Sequence, residues 1–189
     1  MVDAYGNSHE CYACSRTDHR WQGDIYASSS FEKIHMPGKS IDLWMLMNRT
    51  CHLVESQGRS LKTDYLTFCP VIKLSEFLIY EKPAGAQQIP SIKTQIKNIV
   101  KGQDESIGYL PLSAEHGMNE ECVVNFNMVW SQNVVDCPGA ESKNTQLSSP
   151  YCEHLMQKFA RWFSAIGFDD EALKTNEAIE GLTEKYQKE

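Results

Sequence analysis

The sequence predicts an α+β domain, mainly β, with a core of short strands closed by an amphipathic helix near the C-terminus. Three observations predict it. Residues Glu120 to Gln132 alternate: Cys122, Val124, Phe126, Met128 and Trp130 fall on one face, with Asn125 and Asn127 on the other. Residues 149–167 carry a broad apolar stripe at helical spacing. Short apolar segments between Gly23 and Leu112 are separated by Gly, Pro, Ser and Asn, as strands are by turns. The chain has 189 residues, 41% of them hydrophobic. That fits one domain able to bury a core without disulfides or metal.

In chain order, residues 1–21 form a polar N-terminal arm containing Cys11-Tyr-Ala-Cys14, His9 and His19. Gly23 to Ala27 gives the first strand, and a Gly/Pro loop follows at Met36 to Lys39. Asp42 to Met47 and Cys51 to Val54 are the next apolar segments, then a polar stretch from Glu55 to Asp64. Tyr65 to Ile72 reads as a buried strand, with Pro70 pointing to a bulge or an edge position because proline cannot donate to a ladder. Ser91 caps a helix over 91–100, where Ile92, Ile96, Ile99 and Val100 recur at helical spacing. Ile107 to Leu112 is a short strand, and Asp136 to Ser148 a loop. Ser149 as N-cap, Pro150 in the first turn and Gly167 as stop delimit the clearest helix, whose stripe is Tyr151, Leu155, Phe159, Trp162, Phe163 and Ile166. The stripe is expected to dock on the strands. His154 falls on the polar face, and Cys152 in the first turn, where the helix dipole would lower its pKa. Residues 169–189 form a charged tail.

The net charge is −7. The tail holds seven acids against three lysines, so it supplies −4 and the rest of the chain −3. Neither part has the basic footprint of a nucleic-acid binder. No apolar run reaches the roughly 18–20 residues that span a bilayer, and the polar first twenty residues do not read as a signal peptide. A cytoplasmic location is expected, with no membrane partner. Seven cysteines, an odd number, argue against a disulfide framework and for buried thiols that pack as small hydrophobes.

Four segments resemble the MazF/PemK toxin family in order: Gly23-Asp24-Ile25, Arg49-Thr50-Cys51-His52-Leu53-Val54, Phe68-Cys69-Pro70-Val71-Ile72, and Leu110-Pro111 onward through Gly117-Met118 to Val129. The resemblance implies an SH3-like barrel over 22–168 with a packed C-terminal helix. A second set is similar to a group of uncharacterised bacterial proteins: Thr50 to Val54, Tyr109-Leu110-Pro111, Glu121 to Phe126, and Ser149-Pro150-Tyr151 with His154-Leu155 and Phe159 to Phe163. That group reads Thr-Cys-Asp-Leu-Val where this chain has His52. The toxin family cleaves single-stranded RNA with an Arg at the start of its second strand and a Thr after the Pro-Ile of its third. Arg49 matches the first position. Ile72 stands at the second, where an aliphatic side chain cannot exchange a proton. Thr50, His52 or Ser75 would have to replace it.

Cys11-x2-Cys14 has half of a zinc-knuckle motif, and two further ligands from among His9, His19 and Cys51 or His52 could complete a structural zinc site. Cys51 and His52, neighbours on a strand, would point to opposite faces and so could not act as nucleophile and base. Two functions remain in view. One is a non-catalytic protein-binding module, or subunit of a prokaryotic multi-protein system, built on a toxin-like barrel and needing no cofactor. Its partner would be another protein, or a second copy in a homodimer. The other is a MazF-like endoribonuclease using Arg49, Thr50 and His52.

Overall fold

The computed structural model describes residues 11–13, 19–31, 41–49, 53, 63–80 and 92–165. They form a curled, half-barrel antiparallel sheet with helices on its faces. The strands are β1 (Tyr12–Ala13), β2 (Asp24–Ala27), β3 (Leu43–Leu46), β4 (Tyr65–Lys73), β5 (Ile107–Leu110), β6 (Cys122–Asn125), β7 (Trp130–Asn133) and β8 (Lys143–Leu147). The helices are α1 (Leu74–Tyr80), α2 (Ile92–Val100) and α3 (Tyr151–Ala165). The sheet order is β1-β8-β2-β3-β4-β6-β5, and β7 pairs with β4 beside β6. The fold is thus α+β, mainly β. Among the described residues no helix is long and apolar enough to cross a membrane. The 169–189 tail lies outside the described residues.

Both faces of the sheet are buried. On one, Ile25, Met45, Cys69, Val71, Cys122 and Val124 pack under Cys152, Leu155 and Met156 of α3. Tyr151, Phe159 and Trp162 are half-buried against this cluster, whereas Phe163 is 49% exposed. Tyr151, Leu155, Phe159 and Trp162 of the stripe therefore dock as their spacing predicts and Phe163 does not, while Ile166 lies outside the described residues. Gly108 makes the docking possible: a Cβ there would collide with Leu155 Cδ1 and lie 3.2 Å from Phe126 Cζ. On the opposite face, Tyr26, Trp44, Leu46, Leu66 and Phe68 gather Phe31 and Leu53. Farther along that face, Ile107 and Val123 are covered by Phe77 of α1 and Ile99 of α2. Leu53 is helical, not in the strand expected at 51–54; Cys51, His52 and Val54 lie outside the described residues.

β4 lies inside the sheet, between β3 and the pair β6 and β7, so Pro70 is not at an edge. Met47 N–H donates to Thr67 O, which places the backbone groups of odd-numbered β4 residues toward β3. Pro70 therefore faces the other side. There β4 pairs with β7 over Tyr65–Phe68 and with β6 over Val71–Lys73. Pro70 sits in the gap between the two ladders, where no N–H is needed.

The segment expected as one strand over 120–132 is broken. Val71 pairs with Val124 and Phe68 with Trp130, so three steps of β4 oppose six steps of its partner. The three extra residues loop out after Asn125, whose Oδ1 accepts Asn127 N–H (3.0 Å). An odd insertion inverts the alternation beyond it. Cys122, Val124 and Phe126 face α3, but Trp130 turns to the opposite side and packs among Phe31, Trp44 and Phe68. The predicted common face ends before Trp130 for this reason.

Candidate functional site

A β-bulge builds one buried polar cluster. Ile25 pairs with Thr145 and Tyr26 with Lys143, so Asn144 is an extra residue in β8. Without it, Lys143 would point to the other face. With it, Lys143 Nζ lies 3.0 and 3.2 Å from the Asp24 carboxylate oxygens and donates to His19 O (3.0 Å). Asp24 Oδ2 also accepts Trp21 N–H (2.7 Å) and Tyr26 O–H (3.3 Å). Neither charged side chain reaches solvent. Burial pushes the Asp24 carboxyl above its ordinary value, opposed by the Trp21 N–H and Lys143. The Arg20 guanidinium adds bonds to Pro138 O (2.9 and 3.0 Å) and Cys137 O (3.3 Å). The cluster clamps residues 19–24 to 137–143 and is closed to any substrate in this conformation.

Of the predicted RNase residues, Arg49 and Ser75 lie among the described residues. Arg49 is exposed just beyond β3. Its neighbour Asn48 accepts Thr67 N–H (2.6 Å) and donates to Tyr65 O (3.3 Å), which places Arg49 near the start of β4. Ile72 is five residues farther along β4 from Thr67, about 16 Å at strand rise, and pairs with Val123. Ser75 Oγ donates to Glu120 Oε2 (3.3 Å). Thr50 and His52 lie outside the described residues.

Of the predicted zinc ligands, Cys11 and His19 lie among the described residues. Cys11 is buried beside Tyr12 in the core under α3, and its carbonyl accepts Ser148 N–H (3.0 Å). His19 lies by the Lys143 ammonium through its carbonyl. Cys14 and Cys51 lie outside the described residues. Among the described residues, no three His, Cys, Asp or Glu side chains converge as a metal site.

Cys11, Cys69, Cys122 and Cys152 are buried free thiols, and Cys137 is half-buried. Burial pushes Cys69 up to about 12 and Cys122 to about 11. Cys152 also rises, to about 12. The lowering expected from the helix dipole is outweighed by desolvation, because α3 presses this thiol against Gln22 O (3.2 Å) in the core. These environments disfavour the reactive thiolate. Ser113 Oγ and His116 Nδ1 are 3.0 Å apart, but the pair spans one turn of the 113–118 hairpin. His116 there stacks on Tyr12 (5.8 Å).

The sheet edges differ sharply. β5 is an edge strand whose outward carbonyls are all taken by side chains. Lys158 Nζ donates to Ile107 O, Tyr151 O–H to Tyr109 O, and Tyr12 O–H to Pro111 O (2.7 Å). Tyr12 belongs to β1 at the other end of the sheet, so these bonds stitch the two ends together along α3. β7 has no such cover among the described residues. Trp130 and Gln132 turn their backbone groups to β4, so Ser131 and Asn133 direct theirs outward. Asn133 O accepts Cys137 Sγ (3.3 Å); Ser131 is exposed. Tyr65 (58% exposed) pairs with Asn133, and Val135 (83% exposed) follows two residues later. Periodicity alone could not reveal this edge. A usable signal was present in composition: from Cys122 to Val135 there is no charge, no Pro and no Gly, whereas protected edges usually carry Lys or Pro.

No protein-family model matches the chain, and no curated protein matches it.

Proposed function

We propose that the chain is a non-catalytic protein-binding module, a subunit of a prokaryotic multi-protein system, on an SH3-like barrel of the MazF/PemK type. The observation that carries this is the contrast between the β5 edge, whose carbonyls are taken by side chains, and the β7 edge, where Ser131 is left uncovered among the described residues. A strand edge offers a ready row of backbone donors and acceptors, and an extended segment adds to it by main-chain bonds. Exposed Tyr65 and Val135 beside the edge supply apolar area for such a partner. The reading requires no cofactor. It is tested by using the tagged chain and its Ser131→Pro variant as baits in cells of origin, then reconstituting any complex from purified components. Proline removes the outward N–H, so the partner should be retained by the first bait and lost by the second. A partner held equally by both would overturn the reading.

The exposed guanidinium of Arg49 favours a second reading, a MazF-like endoribonuclease. Growth arrest on expression, with cleaved cellular RNA and relief by Arg49→Ala, would support it. Harmless expression with intact RNA would remove it.

A further inference from the structure

We infer that Lys143 and Asp24 condense into an amide, a covalent cross-link that the chain forms by itself between β8 and β2. The cross-link does not depend on how the β7 edge is used. Lys143 Nζ lies 3.0 and 3.2 Å from the two carboxylate oxygens of Asp24. Cγ is bonded to both oxygens, so it lies about 3–3.5 Å from the amine, the separation of a near-attack pair. Neither side chain has surface open to solvent. A dry site favours uncharged partners, and burial raises the Asp24 carboxyl toward its neutral acid.

The surroundings already fit the product. Asp24 Oδ2 accepts Trp21 N–H (2.7 Å) and Tyr26 O–H (3.3 Å). Among the described residues, Oδ1 is bonded to Lys143 alone. The Lys143 ammonium also donates to His19 O (3.0 Å). An amide keeps one oxygen and one N–H. Oδ2 stays with its two donors, the N–H stays with His19 O, and the oxygen that has no further partner leaves.

The ammonium first passes one proton to Oδ1, giving a neutral amine beside a neutral acid. The Nζ lone pair then attacks Cγ, and the carbonyl electrons move onto Oδ2. Trp21 N–H and Tyr26 O–H hold the negative charge that develops there. A second Nζ proton goes to the Oδ1 hydroxyl. The Oδ2 electrons return, the Cγ–Oδ1 bond breaks, and water departs as the Nζ–Cγ bond is completed. Nothing is oxidised or reduced, and no other reactant is needed. Two buried charges disappear, and with them the desolvation that an ion pair must bear. The bulge at Asn144 is what turns Lys143 to this face, and the bond joins positions 119 apart in the chain.

Mass spectrometry of the purified full-length chain tests this, after the protein has been held at neutral pH until its mass is constant and then denatured. The wild type is expected to be lighter than its sequence by one water. Trypsin does not cut after an acylated lysine, so digestion should release a branched peptide joining Asp24 to Lys143. The double variant Asp24→Leu/Lys143→Met, which leaves no buried charge, should keep its full mass. The wild-type peptide carries the test, so a variant that fails to fold does not weaken it. A wild type of full mass with Asp24 and Lys143 recovered in separate linear peptides is an ion pair only and overturns the inference. Loss of water at any other position, or from the double variant, overturns it as well.

Discussion

Lys143 Nζ sits between both carboxylate oxygens of Asp24, at 3.0 and 3.2 Å, with neither side chain open to solvent. The bulge at Asn144 makes this contact. Such a pair is costly to break from one side, because the remaining charge is left buried and unpaired. Asp24→Leu and Lys143→Met are each expected to lower stability by about 3–5 kcal/mol. The double variant Asp24→Leu/Lys143→Met should recover much of the loss. Urea denaturation of the four proteins gives the coupling, and additive losses would rule it out.

At Gly108, α3 packs so near the sheet that a Cβ would collide with Leu155. Gly108→Ala is expected to cost about 1–3 kcal/mol through overpacking. Loss should appear first in the hydrogen-exchange protection of α3 amides. A neutral substitution would mean that Leu155 can move aside freely.

Asn125 holds the irregularity between β6 and β7 through its bond to Asn127 N–H. Asn125→Ala removes that acceptor from a buried position, with an expected cost of about 1–2 kcal/mol. If the loop keeps its register, the environment of Trp130 will persist in its near-ultraviolet circular dichroism. A changed Trp130 signal with little change in stability would show that the two strands can slip.

Alkaline pH should destabilise the fold. Burial holds Cys69, Cys122 and Cys152 protonated to about 11–12, against an ordinary value of 9.0. Below pH 9 both folded and unfolded thiols are neutral, so these groups add no pH dependence. As pH rises above 9 the unfolded thiols ionise first, and each folded thiol that remains protonated then costs about 1.4 kcal/mol per pH unit. Tyr12, Tyr26 and Tyr151, also raised by burial, steepen the fall above pH 10. Denaturation midpoints from pH 7 to 10.5 check this, and Cys69→Ala should flatten the slope. A level profile would contradict the burial of these thiols.

The same environments predict selective alkylation. In native protein at neutral pH, iodoacetamide should leave Cys69, Cys122 and Cys152 unmodified, whereas unfolded protein should react at all three. Peptide mass spectrometry distinguishes the outcomes, and rapid native labelling of Cys69 would refute its placement.

The α3 stripe and the α2 repeat were legible because helical burial repeats over several turns, so one misplaced residue does not disturb the pattern. The strands were legible in number more than in extent. Alternation from Cys122 to Phe126 was true, but it lost its meaning at Trp130 because an odd number of residues loops out, and that count depends on pairing with β4. Helix α1 was hidden by direct continuation from β4: Lys73 ends the strand and Leu74 begins the helix, with no Gly or Pro between them. The Asp24–Lys143 pair could not be read from spacing at all, because a bulge residue decides which face Lys143 occupies. Pro70 did announce a break in a ladder. Locating that break between two partner strands required the sheet order.

The stitching of β1 to β5 and of β2 to β8 also sets a schedule for synthesis. Asp24 waits for a lysine 119 positions downstream, and Tyr12 for a carbonyl 99 positions away. At about 5–20 residues per second, the first of these partners emerges roughly 6–24 seconds later. Until then β2 can pair only with β3, and its other edge stands bare on the ribosome. The nascent chain must be kept from pairing that edge with a neighbour on the same message until β8 emerges and ends that exposure.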